Sequence, residues 1–199
     1  KMVLGMVQTN TWFVINEKTK ELILIDPADD AGRIIRKIEA DGLKLQGILL
    51  THGHFDHIGA VEKLKKRYDI PVYASEVEDR LLLDNRANLS SMFGEPTMIC
   101  ADKFLRDGEN VNIAGFDIKF ILTPGHTPGS GCYYIADENV LFSGDTLFHA
   151  SRGRTDFPGG SEAAIINSIK EKLLKLPGNT DVYPGHMDTT KIDNEKVYY

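Results

Sequence analysis

The sequence has few cysteines, no excess of positive charge and no long apolar run. Its two cysteines, Cys100 and Cys132, show no spacing typical of a disulfide framework or a metal cluster, as is usual for a reducing cytosol. No stretch approaches the roughly 18 consecutive apolar residues of a membrane-spanning helix, and the first ten residues lack the pattern of an export signal. We therefore expect a cytoplasmic protein that does not act at a membrane.

The charge balance points away from nucleic acids. Lysine and arginine total 23 against 29 acidic residues, and the net charge of −6 offers no positive footprint for phosphates. Hydrophobic residues make up 42% of the chain and charged residues 26%, which is ordinary for a globular protein. The length of 199 residues predicts a single domain over 1–199, and the acidic balance disfavours a nucleic acid as its partner.

Histidine is scarce and unevenly distributed. Three of the six histidines fall in residues 51–60, which read THGHFDHIGA. An apolar run precedes this segment and a helical pattern follows it, so we expect a loop at the carboxyl end of a strand, where α/β sheets bind their ligands. Alternation along an extended loop predicts that His52, His54 and Asp56 point to one side, while His57 opens the helix.

The crowding of these four side chains suggests metal binding. Three imidazoles and one carboxylate from so short a span do not easily serve one tetrahedral ion, and both groups suit zinc, iron or manganese. Two ions sharing the loop would use all four side chains. The alternative is a polar loop with a helix-capping aspartate and incidental histidines.

Three further predicted strands also end in candidate ligands. Turn chemistry favours Gly, Pro and Asn and has no need of His, so the repeated coincidence favours a shared site. The carboxylate of Asp145 has two oxygens and can bridge two ions. The residues are His126, Asp145 and His186, which follow the predicted strands 116–122, 140–142 and 181–183.

A carboxylate also ends the predicted strand 21–25. This is Asp26, and we expect it to support the histidine loop by hydrogen bonding, because metal ligands need partners behind them. Strands alternate with helical patterns along the chain, which predicts an α/β fold. One such helix is predicted to open at Ser75 and to carry Leu81, Leu82 and Leu83, followed by an irregular loop.

Together these motifs resemble those of metallo-β-lactamase-fold hydrolases. HGHFDH resembles the family's H-x-H-x-D-H motif, PGHTPGS its third histidine loop, SGDTLF its bridging aspartate and VYPGH its last histidine. The resemblance implies a four-layer αββα sandwich with two divalent metal ions, most of all zinc, at one edge. It places His52, His54 and His126 on one ion and Asp56, His57 and His186 on the other, with Asp145 between them.

The flanking segments GRTDFPGG and YPGHMDTT resemble sequences of the short glyoxalase II-like (hydroxyacylglutathione hydrolase-like) branch of this family. This implies hydrolysis of a small thioester by a hydroxide between the two ions, with Asp56 orienting the nucleophile. Arg152 and Arg154 are candidate contacts for substrate, although Arg154 could instead pair with Asp156 to brace its loop. The runners-up are a persulfide dioxygenase of the same fold, which holds one iron, and a phosphodiester hydrolase.

Overall fold

The computed structural model describes residues 1–199 and contains two six-stranded sheets. The first sheet follows chain order: β1 (Met2–Leu4), β2 (Thr9–Ile15), β3 (Glu21–Ile25), β4 (Lys44–Leu49), β5 (Val72–Ser75) and β6 (Lys103–Leu105). The second sheet contains β7 (Asn110–Ile113), β8 (Phe116–Leu122), β9 (Gly131–Ile135), β10 (Val140–Gly144), β13 (Asp181–Pro184) and β14 (Thr190–Lys191), in the order β14-β13-β10-β9-β8-β7. A short separate ribbon pairs β11 (Leu147–Phe148) with β12 (Ser151–Arg152).

Seven helices connect or cover these strands: α1 (Ala31–Ala40), α2 (Phe55–Ile58), α3 (Val61–Tyr68), α4 (Asp79–Leu82), α5 (Ser90–Phe93), α6 (Glu162–Glu171) and α7 (Ile192–Glu195). The two longest begin at side-chain caps, because Asp30 and Ser161 each accept a hydrogen bond from a backbone N–H of the first turn. None of the helices has the length and apolar character needed to cross a bilayer.

Side-chain alternation along the strands separates the interior into three apolar layers. In β3, Leu22 and Leu24 pack against the layer of α1 and α3, whereas Ile23 and Ile25 lie between the two sheets. On the far side of the second sheet, Ile165 of α6 packs in a third apolar cluster. The order helix, sheet, sheet, helix is the predicted four-layer αββα sandwich, and the prediction is confirmed.

Strand direction brings the candidate ligands to one edge of the sandwich. β3, β4, β5 and β6 run parallel in the first sheet, and β10 and β13 run parallel in the second. Because the carboxyl ends of parallel strands share an edge, the loops that follow them meet there. This explains how residues from distant parts of the sequence come together.

The helix predicted from Ser75 is shorter than the pattern suggested. Ser75 does cap a single 3-10 turn and α4 follows, but the helix ends before Leu83, which is 46% exposed. The carboxylate of Asp84 accepts hydrogen bonds from the backbone N–H groups of Arg86 and Ala87 and so turns the chain away. The loop expected beyond it contains the single turn α5.

Candidate metal centre

Seven side chains from four strand ends form one cluster at this edge. They divide into three overlapping groups whose ligand atoms lie within 4.8 Å of one another: His52, His54 and His126; His52, His57 and Asp145; and Asp56, His57 and His186. All four chain segments with predicted metal ligands therefore contribute to the cluster. The sixth histidine, His149, is exposed and does not take part.

The carboxylate of Asp145 lies between two sets of ligands. Its Oδ2 is 3.6 Å from Nε2 of His126 in the first set and 3.4 Å from Nε2 of His186 in the second. Its Oδ1 is 3.4 Å from Nε2 of His57. One carboxylate therefore approaches both sets, which is the placement that a bridging ligand needs.

Burial and unpaired atoms test whether the cluster suits metal ions. The three histidines of the first set are at most 3% exposed. Of the five buried side-chain atoms without a hydrogen-bond partner in the protein, four belong to this cluster: His52 Nε2, His54 Nε2, His57 Nε2 and Asp145 Oδ1. Buried polar atoms normally have partners, so several orphans converging on one point fit a site for cations.

Hydrogen bonds behind the cluster set the direction of three histidines. Nδ1 of His57 donates to Oδ2 of Asp26 at 2.9 Å, and Nδ1 of His126 donates to the carbonyl of Arg154 at 2.7 Å. Nδ1 of His52 lies 3.2 Å from the hydroxyl of Thr51. Because the carboxylate and the carbonyl can only accept, Nε2 of both His57 and His126 is left unprotonated towards the cluster when these rings are neutral.

His52 and His54 of the first set differ from His57 in their affinity for protons. Burial, and secondly the nearby ring of His126, lowers the pKa of His54 to about 3. Burial, and secondly the ring of His57, holds the pKa of His52 well below its ordinary value. Burial also opposes charge on His57, but the carboxylate of Asp56 and two other carboxylates outweigh it and raise that pKa to about 10. Both low-pKa histidines of the first set are thus neutral at pH 7, while a metal ion must displace a proton from His57.

Asp56 reaches the same cluster as His52 and His54, but it does so from α2 and not from the extended loop. The extended loop ends one residue earlier, because α2 begins at Phe55. Helical geometry instead turns Oδ2 of Asp56 to within 3.2 Å of Nε2 of His186, and the hydroxyl of Thr9 donates to the same oxygen at 2.9 Å. Asp56 therefore belongs to the second set.

Close backbone approaches allow the loops to converge. Gly144 has φ +49°, and a side chain there would strike the Thr51 hydroxyl. A Cβ on Gly185 would collide with Oδ1 of Asp145 and with the ring of His57. Glycine at these two positions lets the loop of Asp145 approach Thr51 and lets the last histidine loop lie directly against the carboxylate of Asp145.

Glu78 was not predicted as a site residue, yet it ties the two histidine loops together. Its carboxylate is 1% exposed and accepts hydrogen bonds from the N–H of Gly53 at 2.9 Å, the hydroxyl of Thr127 at 2.8 Å and the N–H of Gly129 at 2.9 Å. Burial raises its pKa, although these three hydrogen bonds act in the opposite direction. Glu78 stands three residues after Ser75, the spacing of a helix capping box, and that local pattern concealed this role.

A cleft of about 500 Å³ opens onto the cluster, and ligands of both sets lie in its wall. Asp56 and His186 face it, with side chains 13% and 20% exposed. Both candidate arginines line the cleft, but each is already paired: Arg152 with Glu162, and Arg154 with Asp156 through two bonds of 2.6 Å. Arg154 therefore forms the ion pair with Asp156 that was predicted as the alternative to a contact with substrate.

Comparison with known proteins places this arrangement in a family. The model of the metallo-beta-lactamase superfamily matches residues 4–186. The probable metallo-hydrolase YqgX of Bacillus subtilis (strain 168) is 39% identical over 198 residues, with 98% of this chain and 93% of YqgX covered. The hydroxyacylglutathione hydrolase GloC of Haemophilus influenzae is 37% identical over 189 residues, with 92% and 88% covered.

Two solved structures share the fold over nearly the whole chain. The BLEG-1 B3 metallo-beta-lactamase matches with a TM-score of 0.94 and 41% identity, covering 98% of this chain and 95% of BLEG-1. TTHA1623 in a di-iron-bound form matches with a TM-score of 0.86 and 34% identity, covering 98% and 96%. Since the matched residues include every side chain of the metal cluster, the chain belongs to the metallo-beta-lactamase superfamily as a metal-dependent hydrolase.

Proposed function

We propose that the protein is a dinuclear thioesterase of the glyoxalase II type, which hydrolyses a small acyl thioester such as S-lactoylglutathione in the cytoplasm. The observation that carries the dinuclear assignment is the position of Asp145, whose oxygens lie 3.4–3.6 Å from histidines of both ligand sets. The identity of 37% with GloC, a hydroxyacylglutathione hydrolase, supports the thioester as substrate.

The donor set specifies where two divalent ions would be held. His52, His54 and His126 would bind one, and Asp56, His57 and His186 the other, with Asp145 shared. Imidazole nitrogens and carboxylate oxygens are typical ligands of zinc, and they also bind iron and manganese. The similar TTHA1623 has been solved in a di-iron-bound form, which supports iron as the alternative to zinc. When bound, such ions supply a water of lowered pKa and a positive centre for developing charge.

The residues of the chain would position the reaction. Asp56, held by the hydroxyl of Thr9, orients the attacking water on the open side of the cluster, next to His186. Asp26 keeps the proton of His57 on Nδ1, away from the reacting atoms. The thiolate that departs needs little help from an acid, because thiols have pKa values of about 8.5.

No side-chain nucleophile is needed for this reaction. Cys132 is fully buried within β9, and burial raises the pKa of its thiol to about 11, so it is poorly suited to attack a substrate. Phosphodiester hydrolysis is disfavoured because the chain carries a net charge of −6 and the two arginines of the cleft are paired. A dioxygenase with a single iron would leave the second, complete set of ligands without a role.

Hydrolysis of a β-lactam amide is the second candidate function. The specific observation that favours it is the similarity to BLEG-1, a B3 metallo-beta-lactamase, at 41% identity and a TM-score of 0.94. An amide nitrogen is a poorer leaving group than a thiolate, so this reaction would need a proton donor at the open side of the cluster.

The test combines metal content with turnover in one preparation purified without chelator. About two ions per chain together with hydrolysis of S-lactoylglutathione would support the proposal. About one iron, with oxygen uptake on glutathione persulfide and no hydrolysis, would replace it with the dioxygenase. Two ions with turnover of a chromogenic cephalosporin but not of thioesters would replace it with the β-lactamase.

A further inference from the structure

The walls of the cleft beyond the metal cluster are apolar. Besides the five metal-binding side chains that reach it, the cleft is lined by three polar residues, Ser151, Arg152 and Arg154, and by seven apolar ones: Val7, Phe55, Leu89, Phe93, Phe148, Phe157 and Met187. Three of the seven lie open at the mouth, with exposures of 45%, 42% and 59% for Val7, Phe93 and Met187. Exposed apolar side chains gathered around a cleft indicate a binding surface.

Aromatic rings continue this wall inward to the metal ligands. The ring of Phe157 meets that of His54 edge-on at 5.8 Å, and the ring of Phe148 meets that of His186 edge-on at 6.0 Å. Further out, Phe93 stacks on Phe55 at 5.5 Å. A substrate whose carbonyl reaches the cluster therefore lies along rings rather than along polar groups.

The cationic side chains of the cleft are engaged elsewhere. Arg154 forms a two-bond ion pair with Asp156, and its guanidinium lies 4.0 Å from the ring centre of Phe157. Arg152 pairs with Glu162 at the start of α6. No other lysine or arginine lines the cleft, so the two carboxylates of glutathione would find no unpaired cation.

We propose that the cleft selects thioesters by an apolar acyl chain longer than lactoyl, and that the thiol half is not recognised by its charge. This inference rests on the proposed thioesterase function and specifies its substrate class. Phe93 is the wall residue whose contribution can be measured most cleanly, because it lies on the surface and its removal leaves no buried cavity.

The test measures kcat/KM of the metal-loaded enzyme on two series of thioesters. In the first, the thiol is glutathione and the acyl group is acetyl, lactoyl or hexanoyl. Hexanoyl adds four methylenes to acetyl, and burying half of them predicts an increase of roughly 10- to 20-fold. In the second, hexanoyl is carried by glutathione or by the neutral thiol N-acetylcysteamine, and the two values should agree within about threefold.

A binding measurement separates selection from catalysis. S-hexylglutathione and S-methylglutathione are thioethers and are not hydrolysed, so their dissociation constants can be compared by calorimetry. We expect the hexyl compound to bind about 10-fold more tightly or better. Phe93→Ala should reduce this preference several-fold, whereas Phe104→Ala should leave it unchanged, since Phe104 is equally exposed at 42% and lies outside the cleft.

Each outcome decides one of the two proposals. If lactoyl exceeds hexanoyl, or if glutathione thioesters exceed N-acetylcysteamine thioesters by more than about 10-fold, the inference is overturned while the thioesterase function stands. If no thioester is hydrolysed but the hexyl thioether still binds more tightly and depends on Phe93, the apolar selection stands and the thioesterase function fails. Equal binding of both thioethers overturns the inference directly.

Discussion

Asp26 connects the two halves of the metal centre although it belongs to neither ligand set. Its Oδ2 accepts hydrogen bonds from Nδ1 of His57 at 2.9 Å and from the hydroxyl of Thr51 at 2.6 Å. Because that hydroxyl donates to Asp26, its lone pair is left to accept from Nδ1 of His52, 3.2 Å away. One carboxylate oxygen therefore sets the tautomer of a histidine in each set.

Asp26→Asn should weaken both metal sites at once. The backbone N–H of Thr51 donates to Oδ1 at 2.8 Å, so both oxygens of Asp26 now face donors. An asparagine amide must turn its own donor towards one of them, and it also removes the charge opposite His57. Loss of a hydrogen-bonding partner behind a ligand costs roughly 10- to 100-fold in metal affinity, which is about 1.4–2.7 kcal/mol at each site.

The assay is a titration of metal-free protein with Zn²⁺ in competition with a chromophoric chelator, which yields two dissociation constants. Thr51→Val is the matched control, because it preserves shape and the bond between Asp26 and His57 but removes the hydroxyl that reaches His52. It should weaken one site only. Circular dichroism of each variant checks that the buried substitution has not unfolded the protein.

Two results would refute this reasoning. Asp26→Asn could bind both ions with unchanged constants, in which case the ligands do not depend on the hydrogen bonds behind them. Alternatively, Thr51→Val could weaken both sites equally, in which case losing the hydroxyl disturbs His57 through Asp26 as much as it disturbs His52.

Three further predictions concern other parts of the centre. Asp145→Asn should lose metal and turnover together, and normal metal content with full activity would contradict the bridging role. Glu78→Gln should lower the free energy of unfolding by about 1–3 kcal/mol in urea denaturation, because the new amide would face a donor such as the N–H of Gly129, and an unchanged midpoint would contradict it. The raised pKa of His57, about 10, stabilises the metal-free protein fully below its ordinary value of 6.5. The free energy of unfolding with chelator present should therefore fall from about pH 7 to pH 10.

The side chains of the cluster could be predicted as candidate metal ligands because each lies beyond the end of a recognisable strand. The strand predicted at 21–25 matches β3 in both bounds, and the predicted strand at 116–122 matches β8. Alternation anticipated that His52, His54 and Asp56 reach one cluster, but it did not indicate which ligand set Asp56 joins, because α2 begins at Phe55 and changes the periodicity from two to 3.6. Where an extended segment becomes a helix, an error of one residue in the predicted helix start changes the direction that is predicted for the side chains that follow.

The supporting contacts were harder to predict because they join residues far apart in the sequence. Glu78 lies 25 residues from Gly53 and 51 from Gly129, and nothing in its local pattern distinguishes it from a helix-capping glutamate. Asp26 was an easier case, since it ends a strand next to the one that feeds the histidine loop. A hydrogen bond between neighbouring strand ends can be anticipated from topology, whereas one made by a loop cannot.

The same distinction explains why the reaction class is easier to predict than the substrate. The metal ligands lie at strand ends, whose positions follow from sheet pairing, and their chemistry is specific to histidine and aspartate. The walls of the cleft come from the turn at Val7, the single helical turn that ends at Phe93, the segment around Phe148 and Phe157, and the loop at Met187. Phenylalanine and methionine in such loops look like ordinary core residues until the fold shows them grouped around one opening. Selectivity therefore depends on side chains that carry no chemical signature of their own, which is why Phe93→Ala, rather than a substitution of any metal ligand, tests what the protein binds.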